Sequence, residues 1–157
     1  MGEPKASTTF ETRGSPLFAE FLHLAGDTKG IAVTSLPAVG PDDALLVIDM
    51  QNDFCPADPI TNPDGGRFGV PEGDLIVPQI TKLIEHFVAH KASVFATRDY
   101  HPHDHVCFTS QGGPFPSHCV QGTTGSEFLP PIAKALGEGV LKAGKDKVGV
   151  AFKVRPR

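Results

Sequence analysis

The sequence predicts an α/β domain built on a parallel β-sheet. Three short, mostly apolar runs have the character of strands buried on both faces: residues 44–50 (ALLVIDM), 92–99 (ASVFATRD) and 147–153 (KVGVAFK). A helical pattern lies between the first two runs, and the order strand, helix, strand is typical of a βαβ unit with a right-handed crossover. The chain has 157 residues, which is enough for one such core and short for two.

The segment before the first strand, residues 1–43, is predicted to be an N-terminal extension preceding a domain over residues 44–157. Residues 16–25 (PLFAEFLHLA) have the apolar spacing of an amphipathic helix, and a stretch punctuated by Gly and Pro follows them. No functional motif stands out in this extension.

A long loop and a helix connect the first two strands. Residues 51–74 are rich in Gly, Pro and Asp, and loops of this length are usually functional or disordered. The apolar residues that follow recur at helical spacing along one face. Because Pro78 is tolerated only in a first turn, we expect the helix to begin near Ile76 or Val77.

A second long loop, residues 100–125, follows the second strand. After it, residues 126–136 (SEFLPPIAKAL) predict a short helix interrupted by two prolines, Pro130 and Pro131. The third strand then completes the predicted order of elements.

Composition and charge exclude several classes of protein. Hydrophobic residues make up 39% of the chain, charged residues 20%, and the net charge is -4. These values are typical of soluble globular proteins, and without a Lys/Arg block we expect neither a nucleic-acid nor a membrane partner. The first residues lack the pattern of a secretory signal, and three cysteines suit reduced thiols. We therefore expect a cytoplasmic protein.

Charged and metal-ligating side chains cluster where strands end. Asp49, Asp99 and Lys153 each lie at the carboxyl end of a predicted strand, which is where open α/β sheets bind ligands. The stretch ATRDYHPHDHVCF places three histidines directly after the second strand. A carboxylate with two or three imidazoles suits a catalytic Zn²⁺, Fe²⁺ or Mn²⁺. The alternative is a loop of surface histidines with no ligand, and His103 is the best candidate for a solvent-facing one.

Three segments, taken together and in order, resemble motifs of a known family: LLVIDMQNDFCP, FATRDYHPHDHVCF and GGPFPSHCVQGTTGSEF. They resemble nicotinamidases, within the isochorismatase-like cysteine hydrolases, and the resemblance covers about residues 44–153. It implies an isochorismatase-like, mostly parallel sheet with helices on both faces. It also implies hydrolysis of the carbon–nitrogen bond of nicotinamide to give nicotinate and ammonia, a step of NAD salvage, in a chain that is compatible with a homo-oligomer.

The resemblance implies a metal site with named ligands. Asp99 and His101 match metal ligands of the family, and His118 in PSHC matches the third. His105 matches a histidine that is either a direct ligand or a group that supports one. The implied cofactor is a divalent ion, with Zn²⁺ first and Fe²⁺ or Mn²⁺ as alternatives.

The resemblance also implies catalytic and substrate-binding residues. Asp49 matches a catalytic aspartate that can take the proton of a cysteine nucleophile. Lys153 best matches a lysine that favours the thiolate, and Lys142 is the alternative. Phe54 and Phe115 match aromatic positions that wall the pyridine pocket, although ordinary core packing would explain them nearly as well.

The resemblance does not extend to a nucleophile. The family pattern places the nucleophilic cysteine some tens of residues after the lysine, whereas this sequence ends four residues after Lys153. Cys55, Cys107 and Cys119 match positions that are not nucleophilic. We therefore expect a family member that lacks its C-terminal strands and whose first strand presents an unpaired apolar edge.

Three other functions compete with this interpretation. An isochorismatase-type hydrolase acting on a vinyl ether would generally lack the metal triad. A metal- or nicotinamide-binding module without catalysis fits the absence of a nucleophile. A flavodoxin-like domain with incidental histidines would need a Gly-rich phosphate turn after the first strand, and this sequence has none there.

Overall fold

The computed structural model describes residues 38–153, and the predicted helix over 16–25 lies outside them. The strands and helices are β1 (Ala44–Ile48), α1 (Val77–Ala89), β2 (Ser93–Asp99), α2 (Pro130–Ala143) and β3 (Val148–Lys153). None of the helices within this range is long and apolar enough to cross a membrane.

The three strands form a parallel sheet in the order β1-β2-β3. In this register Ile48 lies beside Thr97, and Thr97 lies beside Ala151, so the carboxyl ends of all three strands meet at one edge. Helix α1 packs on β1 and β2, α2 packs on β3, and the two helices contact each other. The predicted α/β class is confirmed, and residues 38–153 supply one of the two predicted helical layers.

The core lies between this helical layer and one face of the sheet. Ile84 of α1 and Ile132 of α2 are fully buried, as are Val94 and Ala96 of the central strand. Burying a side chain the size of isoleucine stabilises a fold by about 1.5–3 kcal/mol relative to leaving it exposed. These contacts hold the strand ends at fixed positions relative to one another.

Prolines mark the beginnings of both helices. Pro78 is the second residue of α1, which confirms a start near Val77. Pro130 and Pro131 are the first two residues of α2, so the expectation that they interrupt this helix was wrong. The N–H groups of a first turn have no acceptor within the helix, so proline costs nothing there, and α2 continues to Ala143.

The other face of the sheet is open in the described part of the chain. In β1, Leu46 is 62% exposed and Ile48 63% exposed, while Val47 between them is buried against the helices. Phe95 of β2, which is beside Leu46 in the register, is also exposed. Strand β1 pairs with β2 alone among the described strands, so the expected apolar edge is present in this range.

Candidate functional site

The edge where the strands end brings three charged side chains together. Asp99 and Lys153 are the last residues of β2 and β3 and are neighbours in the register, and Asp49 directly follows β1. The Nζ atom of Lys153 forms an ion pair with Asp49 and lies 3.2 Å from Oδ1 of Asp99. Lys153 therefore bridges the two carboxylates.

Asp49 owes its position to a sharp change of backbone direction. Its φ angle is +54°, in the left-handed region that aspartate tolerates better than most residues. This conformation explains why β1 ends at Ile48 and not at Met50. The hydroxyl of Thr97 donates a hydrogen bond of 2.7 Å to Oδ1 of Asp49, so both carboxylate oxygens have a fixed partner.

Lys153 carries the positive charge of this group. Burial lowers its pKa, but the hydrogen bonds to Asp49 and Asp99, together with their negative charges, outweigh burial and raise the pKa overall. The ammonium form is therefore favoured. Lys142, the alternative from the sequence, lies on α2 and pairs with Glu138 at 3.8 Å, so the lysine that reaches this site is Lys153.

The predicted metal ligands come together beside this bridge. Asp99, His101 and His118 each offer a ligand atom, and these atoms all lie within 4.8 Å of one another. Nε2 of His101 is 3.4 Å from Oδ2 of Asp99. Nδ1 of His118 lies 2.7 Å from the carbonyl oxygen of Pro116. A carbonyl only accepts, so Nδ1 carries the hydrogen and Nε2 keeps its lone pair for a metal.

Backbone pairing brings His118 to His101. The N–H of His101 donates to the carbonyl of Cys119 at 3.0 Å, and the N–H of Gln121 donates to the carbonyl of His101 at 2.8 Å. The buried carboxylate of Asp53 accepts the N–H of Cys119 at 2.7 Å. These bonds explain how two segments far apart in the sequence contribute to one metal site.

His101 has the properties of a metal ligand. Burial lowers its pKa, the charge of Asp99 opposes that effect, and the neighbouring His105 and His118 lower the pKa further. The neutral imidazole that coordinates metals is therefore favoured. Its Nδ1 is buried and has no hydrogen-bond partner among residues 38–153. This donor set, one carboxylate and two imidazoles, fits a divalent ion such as Zn²⁺.

The two remaining histidines of the loop, His105 and His103, differ in burial. His105 is buried, with its ring centroid 4.4 Å from that of His101. Its Nδ1 lies 2.9 Å from Sγ of Cys107, a contact that our sequence reasoning missed although the H-x-C spacing is visible there. His103 is exposed, as expected for a solvent-facing residue.

A pocket of about 570 Å³ opens over this cluster. Phe115 lines it, whereas Phe54 lies outside the lining and contacts the ring of His118 at 5.5 Å. Phe68, which the sequence analysis did not single out, stacks on His118 with ring centroids 5.0 Å apart. The complete lining consists of Asp99, His101, His105, Val106, Cys107, Pro114, Phe115, His118 and Lys153.

Gln51 is a second residue that the sequence analysis did not assign. It is fully buried, and its side-chain amide hydrogen bonds to the backbone of Asp99 and of Ser126. A polar residue beside a strand end was the only signal in the sequence, and it did not distinguish burial from exposure.

Two of the three thiols are poorly suited to attack a substrate. Burial, and then the charge of Asp53, raises the pKa of Cys119 well above its usual range. Burial, and then the charge of Asp74, raises the pKa of Cys55. Both thiols therefore stay protonated near neutral pH, and the thiolate is the nucleophilic form.

The chain is similar in sequence to known proteins. A family model described as the isochorismatase domain matches residues 43–150. The nicotinamidase of Escherichia coli is 33% identical over 121 residues, which cover 68% of this chain and 53% of that protein. The chain thus spans about half the length of the curated relatives it matches.

Solved structures give the same result. The pyrazinamidase of Pyrococcus horikoshii, solved in complex with zinc, is 37% identical with a TM-score of 0.55 over 74% of this chain and 54% of that one. A protein of L. infantum, solved in complex with nicotinate, is 26% identical with a TM-score of 0.57 over 78% and 54%. The resemblance drawn from the motifs is confirmed, and the chain belongs to the isochorismatase-domain family.

Proposed function

We propose that this chain belongs to a nicotinamidase, an amidohydrolase that converts nicotinamide and water into nicotinate and ammonia. The observation that carries this proposal is the bridge from Asp49 through Lys153 to Asp99, because it joins an acid–base pair to the metal triad that lines the pocket. The relatives add support, since one is a nicotinamidase and another was solved with nicotinate.

Asp99, His101 and His118 are the residues proposed to hold the metal, with His105 beside them. We propose Zn²⁺ as the first choice because the pyrazinamidase structure contains zinc, with Fe²⁺ and Mn²⁺ as alternatives. A bound ion would supply Lewis-acid chemistry, by binding the pyridine nitrogen or by orienting a water.

The other residues of the site have proposed roles in moving protons and holding substrate. Asp49 takes the proton of an attacking thiol and returns it to the departing ammonia, so that a C–S bond forms as the C–N bond breaks. Water then hydrolyses the thioester to nicotinate. Lys153 stays protonated and offsets the negative charge that develops. Phe115, in the pocket wall, packs against the pyridine ring of the substrate. Phe54 packs against the imidazole of His118.

The attacking thiol is proposed to be one other than Cys55, Cys107 or Cys119. The first and last of these are buried with raised pKa values. The same observation favours a second candidate function, a metal- and ligand-binding subunit without catalysis of its own. Turnover separates the two candidates.

The test is ammonia release from nicotinamide, with and without Zn²⁺, Fe²⁺ or Mn²⁺. We compare the 157-residue chain with a chimera that adds the part of the E. coli nicotinamidase this chain does not span. We expect metal-dependent turnover by the chimera, loss of turnover in its D49N variant, and no turnover by the chain alone.

Each outcome has a defined meaning. A folded chimera that binds metal and releases no ammonia would contradict the proposed function and favour the binding subunit. Turnover by the 157-residue chain alone would support the function. It would contradict the proposal that the attacking thiol is none of Cys55, Cys107 and Cys119. The H103A chimera, altered at an exposed histidine, serves as the matched control and should keep full activity.

The pathway, the cellular location, the domain division and the assembly are proposals as well. We propose NAD salvage as the setting in which nicotinate is formed. Three cysteines suit the reducing cytoplasm, where we propose that the protein acts. We also keep the division into an N-terminal extension over residues 1–43 and a hydrolase domain over residues 44–157, with a homo-oligomer as the proposed assembly.

A further inference from the structure

A second group of metal-ligating atoms overlaps the first. One ligand atom each from His101, His105 and Cys107 lies within 4.8 Å of the others. The two histidines are buried and the cysteine is half-buried. Nδ1 of His105 lies 2.9 Å from Sγ of Cys107, so a nitrogen and a sulfur of this group are already in direct contact.

His101 provides an independent observation. Its side chain is only 10% exposed, and Nε2 is directed at Asp99 while Nδ1 is buried without a hydrogen-bond partner in the described part of the chain. A buried polar atom without a partner costs free energy, so native structures seldom leave one unless a ligand satisfies it. An ion bound at this nitrogen would supply that partner.

The group is also open to an ion from solvent. All three residues line the pocket described above, together with Asp99 and His118. Cys119, the other cysteine near this region, is fully buried with its Sγ directed at the carbonyl of Gly125. Among the three thiols, Cys107 is thus the one that the pocket and the histidines share.

We propose that His101, His105 and Cys107 form a second, sulfur-containing metal site that shares His101 with the first. Two imidazoles and a thiolate favour softer ions such as Zn²⁺ and Cd²⁺ and also bind Co²⁺, whereas the set of Asp99, His101 and His118 also suits harder ions. The proposal goes beyond nicotinamide hydrolysis and does not depend on it, because it concerns metal binding alone.

The test is an anaerobic titration of the 157-residue chain with Co²⁺, followed by absorbance. Cobalt bound to a thiolate shows a sulfur-to-metal charge-transfer band in the near ultraviolet, and cobalt bound by nitrogen and oxygen alone does not. We expect this band in the wild type and in D99N, and we expect its loss in C107S. The matched control is C55A, which removes a buried cysteine outside the pocket and should keep the band.

A second measurement keeps the result independent of folding defects. We expect C107S to weaken Cd²⁺ binding by roughly tenfold to a hundredfold while changing Mn²⁺ binding less than about twofold. Circular dichroism should show the same secondary structure in both chains. Absence of Co²⁺ binding, binding without the band, or a band that persists in C107S would each overturn the proposal. None of these readouts uses nicotinamide, so failure here and failure of the proposed function are distinguishable.

Discussion

The side-chain amide of Gln51 forms hydrogen bonds with both the N–H and the carbonyl of Asp99. Its Nε2 donates to the carbonyl of Asp99 at 2.8 Å, and its Oε1 accepts the N–H of Asp99 at 2.7 Å. The same Nε2 donates to the carbonyl of Ser126 at 2.8 Å. One buried amide therefore ties the loop after β1 to the end of β2 and to the segment before α2, and it fixes the backbone of a metal ligand.

Replacing Gln51 with alanine should weaken both folding and metal binding. Q51A removes the side-chain partner of the N–H and the carbonyl of Asp99, leaves the carbonyl of Ser126 with Arg98 as its side-chain donor, and opens a cavity. We expect a loss of about 3 kcal/mol in the free energy of unfolding, measured with urea, and roughly tenfold weaker Zn²⁺ binding, measured by calorimetry.

Gln121 offers a matched control for this experiment. Its amide also donates to a backbone carbonyl, that of Tyr100 at 3.0 Å, but at an exposed position. Q121A should cost less than about 0.5 kcal/mol. Equal losses in the two variants would contradict a special role for Gln51.

His118 should be required for metal binding, whereas His103 should not. The Nδ1 of His118 is engaged by Pro116, so its Nε2 is available to an ion that it shares with Asp99 and His101. We expect H118A to weaken Zn²⁺ binding at the site of Asp99, His101 and His118 roughly a hundredfold and the exposed H103A to leave it unchanged, as measured by calorimetry. A strong effect of H103A would mean that the loop binds metal in another arrangement.

Removing the charge of Lys153 should strengthen metal binding. The ammonium of Lys153 lies 3.2 Å from Oδ1 of Asp99, so it competes with a cation for that carboxylate. We expect K153M to tighten Zn²⁺ binding roughly twofold to fivefold, with a smaller effect at high salt. K142M makes the same change on α2, where Lys142 pairs with Glu138, and should have no effect. Weaker binding in K153M would mean that Lys153 orients Asp99 more than it repels the ion.

Cys55 should make the fold sensitive to alkaline pH. Burial, and then the charge of Asp74, raises the pKa of this thiol, so the folded state keeps its proton after the unfolded state has lost it. The stabilising contribution is complete below the ordinary value of 9.0 and declines as the pH rises above it. Just above pH 9.0, unfolding free energy should fall up to about 1.4 kcal/mol per pH unit more steeply in the wild type than in C55A. Parallel profiles for the two chains would refute this.

The sequence was sufficient to predict the elements that depend on local pattern. The apolar runs that became β1, β2 and β3 are short and bounded by charges, and their ends placed Asp49, Asp99 and Lys153 at one edge. Parallel order follows from the helical connections, so the meeting of these side chains needed no knowledge of distances.

Features that depend on tertiary packing were not predictable. Nothing in the sequence around Gln51 distinguishes a buried side chain from an exposed one, and only the structure shows its hydrogen bonds to Asp99. Phe68 lies in a loop of 51–74 whose path no periodicity describes, although its ring stacks on His118. The prolines of α2 were misjudged because a proline pair signals a break or a beginning equally well until the helix boundary is known.

The metal ligands lie close together in the sequence, whereas the residues of the Asp49–Lys153 ion pair lie far apart in it. The metal ligands all lie between Asp99 and His118, whereas Asp49 and Lys153 are 104 positions apart. During synthesis the ribosome therefore releases every ligand of the triad before it releases Lys153. The three ligands can therefore approach one another before β3 docks, and the arrival of β3 then adds a second cation beside Asp99. The metal ligands and the lysine bridge thus become available at different moments of synthesis.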